Sequence, residues 1–438
     1  MRFWTVVAAV LAGLMPASAM PAQPHSDRFV FAVVVTRHGV RSISKAPPEY
    51  SWADWQPVAP SYLTARGYRL MTYMGQFYRV YFDANGIPVT CATPNVYLYA
   101  DKDQRTLESG QALIEGMCGK ANAMPMHHAA DLSKATDDPL FDPTGWALSQ
   151  HRIDAAASRA AVLAALPKPP SALVTEHAAD FAGLQKVLDA RCGGTCAPVT
   201  GGASSVDDDK DGLTEAGGPL KTASSYAEDL FLEYAQCNPD APADLSDAMR
   251  LHVLAYDVNA RNRYNPLVRG GTLFAHIVAM LEVKAGRAHP DVDIPDIRHD
   301  DAVIFSGHDT QLGALGGILN AHWEPGGGIV EDDMPPGSAL IFALYRTSSN
   351  QYRVRMRFAY ETIEQFHHYK LVNNGAASVP VRMPGCDGED CSVPLERFSA
   401  LARTIENDRL VRKEWTQESA GPVELDPLYN PKWTQCAS

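Results

Sequence analysis

Residues 29–41 read FVFAVVVTRHGVR, an apolar run that stops at Arg37-His38-Gly39-Val40-Arg41. Phe29 to Val35 is rich in β-branched residues and bounded by polar ones, so it predicts a buried strand. A histidine between two arginines at the end of such a strand points to chemistry on a phosphate. Guanidinium forks bind phosphate oxygens in pairs, and open α/β sheets place ligands at the carboxyl ends of their parallel strands. A solvated basic turn is the plainer alternative for five residues taken alone.

The same strand–loop–helix pattern recurs twice. Asn95 to Ala100 predicts a second strand running into Asp101-Lys102-Asp103-Gln104-Arg105-Thr106 and a helix through Met117. Ala302 to Ser306 predicts a third, ending in Gly307-His308-Asp309-Thr310 before a helix over 311–319. Three strand ends thus deliver Arg37, His38 and Arg41, then Arg105, then His308 and Asp309. Between the first two lie a Pro- and Trp-containing loop (46–60) and a helix over 64–82, stopped at Asn85-Gly86. Residues 338–345 and 352–360 alternate as the strands of a hairpin.

From Gly145 to Val253 the character changes to alanine-rich helical segments (155–166, 178–190) and a polar stretch (201–212). This section is expected to be an all-helical insert, with 201–212 a flexible surface loop. Asp207-Asp208-Asp209 lacks the ordered ligand pattern and glutamate of a calcium loop. Residues 267–283 predict an amphipathic helix.

The chain has 438 residues, enough for one large or two modest domains. Its net charge of −13, from 38 basic and 51 acidic residues, argues against nucleic acid or an anionic membrane as partner. Arg2, the apolar stretch 3–14 and Ala17-Ser18-Ala19 predict a secretory signal peptide over 1–19, and no later stretch reads as a membrane span. Eight cysteines in an exported chain are expected to form disulfides, with Cys192/Cys196 and Cys386/Cys391 closing local loops. Neither the Cys192–Cys196 segment nor the pairs His127/His128 and His367/His368 has convincing metal-ligand spacing.

Charge alone assigns roles at the three strand ends. Phosphate monoester hydrolysis is intrinsically slow and needs its equatorial oxygens stabilised, which Arg37, Arg41, Arg105 and a histidine can do. A neutral histidine in line can attack phosphorus, and Asp309 can protonate the departing alkoxide.

These segments, together with Asp138 to Pro143, Ala260-Arg261-Asn262-Arg263, Leu315-Gly316-Gly317 and Pro335-Pro336-Gly337, resemble the histidine acid phosphatase family. Within it they are most similar to the bacterial periplasmic phytase branch. The resemblance implies a three-layer α/β domain (20–144 and 254–438) with an inserted all-α cap (145–253). It implies His38 as nucleophile, Asp309 as proton donor, and Arg37, Arg41, Arg105 and His308 as the phosphate clamp. Ser44, Lys45, Glu228 and Arg263 match substrate-pocket positions. No cofactor or metal is implied.

The expected protein is a periplasmic or secreted monomer acting on a small phosphorylated substrate such as phytate or a sugar phosphate. Its activity is expected to peak at acidic pH, with His308 and Asp309 protonated. Ile43, Gln311 and Ser225 depart from the usual proline, asparagine and methionine. Aligned cysteines suggest Cys91–Cys118, Cys192–Cys196 and Cys386–Cys391; Cys237–Cys436 follows only by elimination. A glucose-1-phosphatase and a non-catalytic phosphate-binding protein are the rival readings. A cofactor-dependent phosphoglycerate mutase shares the RHG logic, but the leader and cysteines oppose a cytosolic role.

Overall fold

Strand β1 (Arg28–Arg37) is buried from Phe31 to Arg37, as its apolar run requires. The computed structural model describes residues 27–46, 50–120, 124–133, 137–192, 196–368, 376–406, 408–421, 423–434 and 436. The expected leader over 1–19 lies outside the described residues.

The chain continues through α1 (Ala65–Ala84), β2 (Val96–Ala100), α2 (Gln104–Cys118) and β3 (Met126–Ala129). The middle section holds α3 (Pro143–Ser149), α4 (Ala155–Ala165), α5 (Ala172–Glu176), α6 (Ala178–Asp189), β4 (Val206–Asp208), β5 (Thr214–Ala216), α7 (Pro219–Ala235) and α8 (Ser246–Asn259). Then come α9 (Asn265–Lys284), β6 (Ala302–Gly307), α10 (Asp309–Leu319), β7 (Ala339–Arg346), β8 (Tyr352–Tyr360) and α11 (Ile363–His368). Strands β9 (Ala377–Pro380), β10 (Ser392–Pro394) and β11 (Glu418–Ala420) and helix α12 (Leu395–Glu406) complete the described fold.

Nine of the strands form one mixed sheet in the order β10-β8-β7-β1-β6-β2-β3-β11, with β9 on β8, and β4 and β5 form a separate pair. β1, β6, β2 and β3 run parallel, and the β7–β8 hairpin joins β1 antiparallel. Alternation along β1 sends Phe31, Val33 and Val35 to one face and Ala32 and Val34 to the other. Helices α1 and α2 supply Met74, Tyr78, Leu113 and Met117 to the second face. Helices α9, α10 and α12 supply Phe274, Leu312 and Phe398 to the first. The result is the expected three-layer α/β sandwich. Each fully buried Val or Phe contributes about 1.5–3 kcal/mol by leaving water, and both faces of β1 are filled.

Several expectations change. Residues 201–212 are not simply a loop: β4 and β5 pair antiparallel there, so the insert is not all-helical. Thr214 Oγ1 donates to Asp208 at 2.7 Å, and Asp209 accepts from the backbone of Asp211 and Leu213. The aspartates are spent on turn geometry. Both expected insert boundaries fall inside helices, α3 and α8.

Helix α9 is buried on nearly every face rather than amphipathic. It is long and apolar enough to cross a membrane, but 83% of that window is buried within the protein, as befits a core helix. All eight cysteines are paired: Cys91–Cys118, Cys192–Cys196, Cys386–Cys391, and Cys237–Cys436. Four disulfides fit an oxidising compartment.

Candidate active site

Register brings the three motifs together. Arg37 pairs with Gly307 across β1–β6, and Ala100 with Ser306 across β6–β2. His38, Asp101 and His308 therefore leave adjacent parallel strands side by side at their carboxyl ends.

The loop around His38 is held by backbone bonds at both edges. His38 N donates to Gly307 O, Arg37 N to Ser338 O (2.8 Å each), and Gly337 N to His38 O (2.9 Å). Gly39 N donates to Ser109 Oγ (3.0 Å), whose hydroxyl donates to Arg105 O. Two glycines let α1 close on this loop. A Cβ at Gly39 would lie 2.8 Å from Gly67 O, and one at Gly67 would lie 2.1 Å from Val40 O. The first turn of α1 is fixed by its N-cap Thr64, which accepts from Gly67 N.

His38 is 3% exposed. Its Nδ1 lies 2.8 Å from Gly39 O, which can only accept, so Nδ1 carries the proton and Nε2 keeps the lone pair. Burial, then the positive charges of Arg105 and Arg37, hold the ring well below the usual histidine range. It stays neutral under mild acid.

The cations around it are partnered by carboxylates. Arg37 NH2 contacts Glu228 Oε1 at 2.6 Å and Asp309 Oδ2 at 2.8 Å, while NH1 donates to Met334 O. Arg41 NH2 meets the same Glu228 oxygen at 2.9 Å, and its NH1 donates to Ser44 Oγ at 3.3 Å. Arg105 pairs with Asp103 at 2.7 Å and lies 3.3 Å from His308 Nδ1. Since Arg105 can only donate there, Nε2 of His308 is the N–H that meets Asp101 Oδ2 at 2.6 Å.

Burial alone would raise Asp309, but Arg37 and then His308 outweigh it and hold the carboxyl below the usual range. Glu228 shifts the same way, its burial outweighed by Arg41 and Arg37. The expectation that Asp309 is protonated in mild acid is therefore corrected for the unliganded protein: the Arg37 ion pair keeps it ionised. Asp138, by contrast, is pushed up to about 6 by burial, with Asp101 nearby adding to the rise.

A cavity of about 580 Å³ opens over this cluster. His38, Arg41, Ser44, Arg105, Glu228, His308 and Asp309 line it; Arg37 lies beneath them, 3% exposed. Lys45 and Arg263 are exposed and do not reach its wall. The structure places those two expected pocket residues outside the cavity. The departures sit elsewhere: Ile43 is in the core, Ser225 is exposed, and Gln311 accepts from His308 N and donates to Phe141 O.

The wall also holds residues that sequence reasoning did not place there. Tyr256 of α8, Arg269 of α9, and Lys210 and Asp211 of the β4–β5 turn all line the cavity. Nothing local marked them, because each comes from an element with its own helical or turn logic. Asp137 and Asp142 add negative charge, and Arg269 is held by Asp209 and Glu215.

Asp101, Asp103 and His308 bring three ligand-type atoms within 4.8 Å of one another. Their donors and acceptors are engaged with each other and with Arg105. A cation there would also sit beside a guanidinium, so the set does not favour a metal.

Known proteins are similar to this chain in sequence and in fold. Residues 28–171 match the profile described as "Histidine phosphatase superfamily (branch 2)". The chain is 26% identical to the Escherichia coli K12 phytase AppA over 421 residues, covering 86% of this chain and 91% of that protein. Over residues 28–171 the chain is thus similar to the histidine phosphatase superfamily, and over most of its length to a phytase. A solved Hafnia alvei phytase in complex with myo-inositol hexakis sulphate is similar in fold. It superposes with a TM-score of 0.77 at 27% identity, covering 87% of this chain and 98% of that one. A Providencia rettgeri glucose-1-phosphatase is 31% identical over 121 residues, 25% of this chain and 28% of that one.

Proposed function

We propose that this protein is an acid phosphatase that hydrolyses phosphomonoesters through a covalent phosphohistidine on His38, with inositol polyphosphates as its leading substrate class. The observation that carries the reading is the tautomer of His38. A buried ring with Nδ1–H tied to Gly39 O presents Nε2 as the nucleophile among Arg37, Arg41 and Arg105.

An incoming phosphate dianion competes with Glu228 and Asp309 for the guanidiniums. It takes over Arg37, and its negative charge raises Asp309 toward protonation. His38 Nε2 then attacks phosphorus while the P–O bond to the leaving group breaks, and Asp309 gives its proton to the departing alkoxide. Water next attacks the phosphohistidine, its proton returns to Asp309, and phosphate leaves with His38 neutral again. The arginines hold the equatorial oxygens throughout, and His308, fixed by Asp101, lies beside them.

Residues 145–253 serve as a cap, closing the cavity through Glu228 on α7. Mild acid favours an anionic substrate here, because the raised Asp138 loses its charge on the wall. Export to a periplasmic or secreted location fits the four disulfides. The resemblance to phytases over most of the chain supports the substrate class.

A sugar monophosphate is the second reading. It is favoured by the exposure of Lys45 and Arg263, which keeps both of these cations off the cavity wall.

Labelled phosphate should be trapped on the protein after an alkaline quench, since phosphohistidine is acid-labile, and the His38→Ala variant should trap none. Comparison of kcat/KM for phytate and glucose-1-phosphate between pH 3 and 7 separates the two substrate readings. A His38→Ala protein as active as the parent ends the phosphohistidine reading.

A further inference from the structure

A turn at the end of the Pro- and Trp-containing loop carries a residue that its backbone does not favour. Tyr62 N donates to Ala59 O at 3.1 Å, so Ala59-Pro60-Ser61-Tyr62 closes as a four-residue turn. Pro60 stands at its second position, and Ser61, at its third, has a φ of 67°. That is the pattern of a type II turn, whose third position asks for glycine because a Cβ there is strained. The turn is held from behind without the Ser61 side chain. Ser42 Oγ donates to Ala59 O (2.5 Å), Ser42 N to Tyr62 O (2.9 Å), and Leu63 N to Gln104 Oε1 (2.8 Å).

What that side chain does touch is Ser44. Ser61 Oγ donates to Ser44 Oγ at 2.8 Å, and Arg41 NH1 donates to the same oxygen at 3.3 Å. Ser44, Ser61 and Arg41 all line the cavity over His38. A hydroxyl oxygen offers two lone pairs and one O–H. With both lone pairs of Ser44 taken by donors, its own O–H is left to give to an acceptor in the cavity.

We propose that Ser61 is a positioning residue for substrate choice: it aims the Ser44 hydroxyl as a donor at an oxygen borne by the leaving group, next to the phosphate that Arg41 holds. This rests on the phosphatase reading above and adds to it a group that reads the alcohol rather than the phosphate. The acceptor is a hydroxyl on a sugar phosphate or a neighbouring phosphate on an inositol polyphosphate, and both offer the same lone-pair chemistry. Backbone strain persists where the strained residue is put to use. Glycine would relieve this turn, but Ser44 would then lose the donor that fixes the direction of its proton. Neither serine is charged, so the pair does not draw the scissile phosphate away from the guanidiniums.

The test sets strain against recognition. Ser61→Gly should leave the melting temperature unchanged or raise it, because the turn is relieved, and Ser61→Ala should keep the strain. Both variants lack the hydroxyl, so both should lower kcat/KM for glucose-1-phosphate or phytate by roughly 3- to 10-fold, the scale of one hydrogen bond. The loss should lie in KM, since the contact is made equally before and during the reaction. Phenyl phosphate, whose leaving group carries no further oxygen, should lose less than about 2-fold in kcat/KM. A loss confined to glucose-1-phosphate identifies the acceptor as a hydroxyl, and one confined to phytate identifies it as a phosphate. In a Ser44→Ala background, Ser61→Ala should cost nothing more on either oxygen-rich ester.

Equal losses on all three esters, a loss for Ser61→Gly that Ser61→Ala does not share, or full additivity with Ser44→Ala would each overturn the assignment. A parent protein that hydrolyses none of the three overturns the phosphatase reading instead.

Discussion

The floor and the cap side of the cavity are built by different rules. On the floor, Arg37, His38, Asp101 and His308 are fixed by strand register, so their relative positions follow from backbone hydrogen bonds between β1, β6 and β2. On the other side, Glu228 of α7 and Tyr256 of α8, just past the expected cap boundary, reach the same space, and their placement depends on helix packing. Floor residues are set for the chemistry common to any phosphomonoester. From the other side, Glu228 is the carboxylate that faces Arg37 and Arg41.

The sharpest contrast is between Arg37 and the two exposed cations. Arg37→Ala should lower kcat/KM for any monoester by roughly 100- to 1,000-fold, the scale of losing one preorganised charge donor. Lys45→Ala and Arg263→Ala should each change kcat/KM for glucose-1-phosphate by less than about 3-fold, as expected of solvated side chains outside the cavity. Steady-state kinetics on the three variants would break the contrast if Lys45 or Arg263 proved as costly as Arg37.

Glu228 is the cap's link to the floor, and its effect should be intermediate. Glu228→Gln removes a negative charge that both Arg37 and Arg41 hold in the unliganded protein. Inorganic phosphate should then inhibit roughly 3- to 10-fold more strongly, since less competition remains for the guanidiniums. An inhibition constant that is unchanged or weaker would mean the carboxylate does not gate the clamp.

The smallest expected effect is on stability. Asp138, held at about 6 by burial, lies on the wall between floor and rim. Its ionised form is penalised in the folded protein, so this residue's contribution rises as pH falls from about 6 toward 4. Asp138→Asn should raise stability at pH 7.5 by about 1–2 kcal/mol and leave it nearly unchanged at pH 4. Denaturant melts at the two pH values would expose a reversed sign.

The floor was legible in sequence because each of its residues follows a buried strand directly. β1, β2 and β6 each show an apolar run that ends in charged or imidazole side chains, and parallel pairing does the rest. Of the cap-side residues, Glu228 was legible only through family resemblance. Tyr256 and Arg269 sit on helices where an aromatic or a cation is ordinary. The β4–β5 hairpin hid behind Asp207-Asp208-Asp209, a run that looks solvated until its carboxylates are seen closing the turn. The ionised state of Asp309 was invisible for a different reason: it depends on a 2.8 Å contact with Arg37, a residue far away in the chain. Lys45 and Arg263 matched by position, yet side-chain direction decides access, and pattern does not carry direction.

The place of β1 in the sheet governs the order in which this molecule can come into being. It is the first strand of the described fold to be synthesised, yet both its neighbours, β6 and β7, come from far later in the chain. Until those strands exist, its two edges are unpaired and its apolar run is exposed, a segment prone to stray pairing. Non-local pairing of this kind is slow to nucleate. A ribosome-bound fragment ending before β6 would therefore hold the nucleophile but no site. Catalytic competence should appear abruptly, late in synthesis, rather than accumulate as the chain grows.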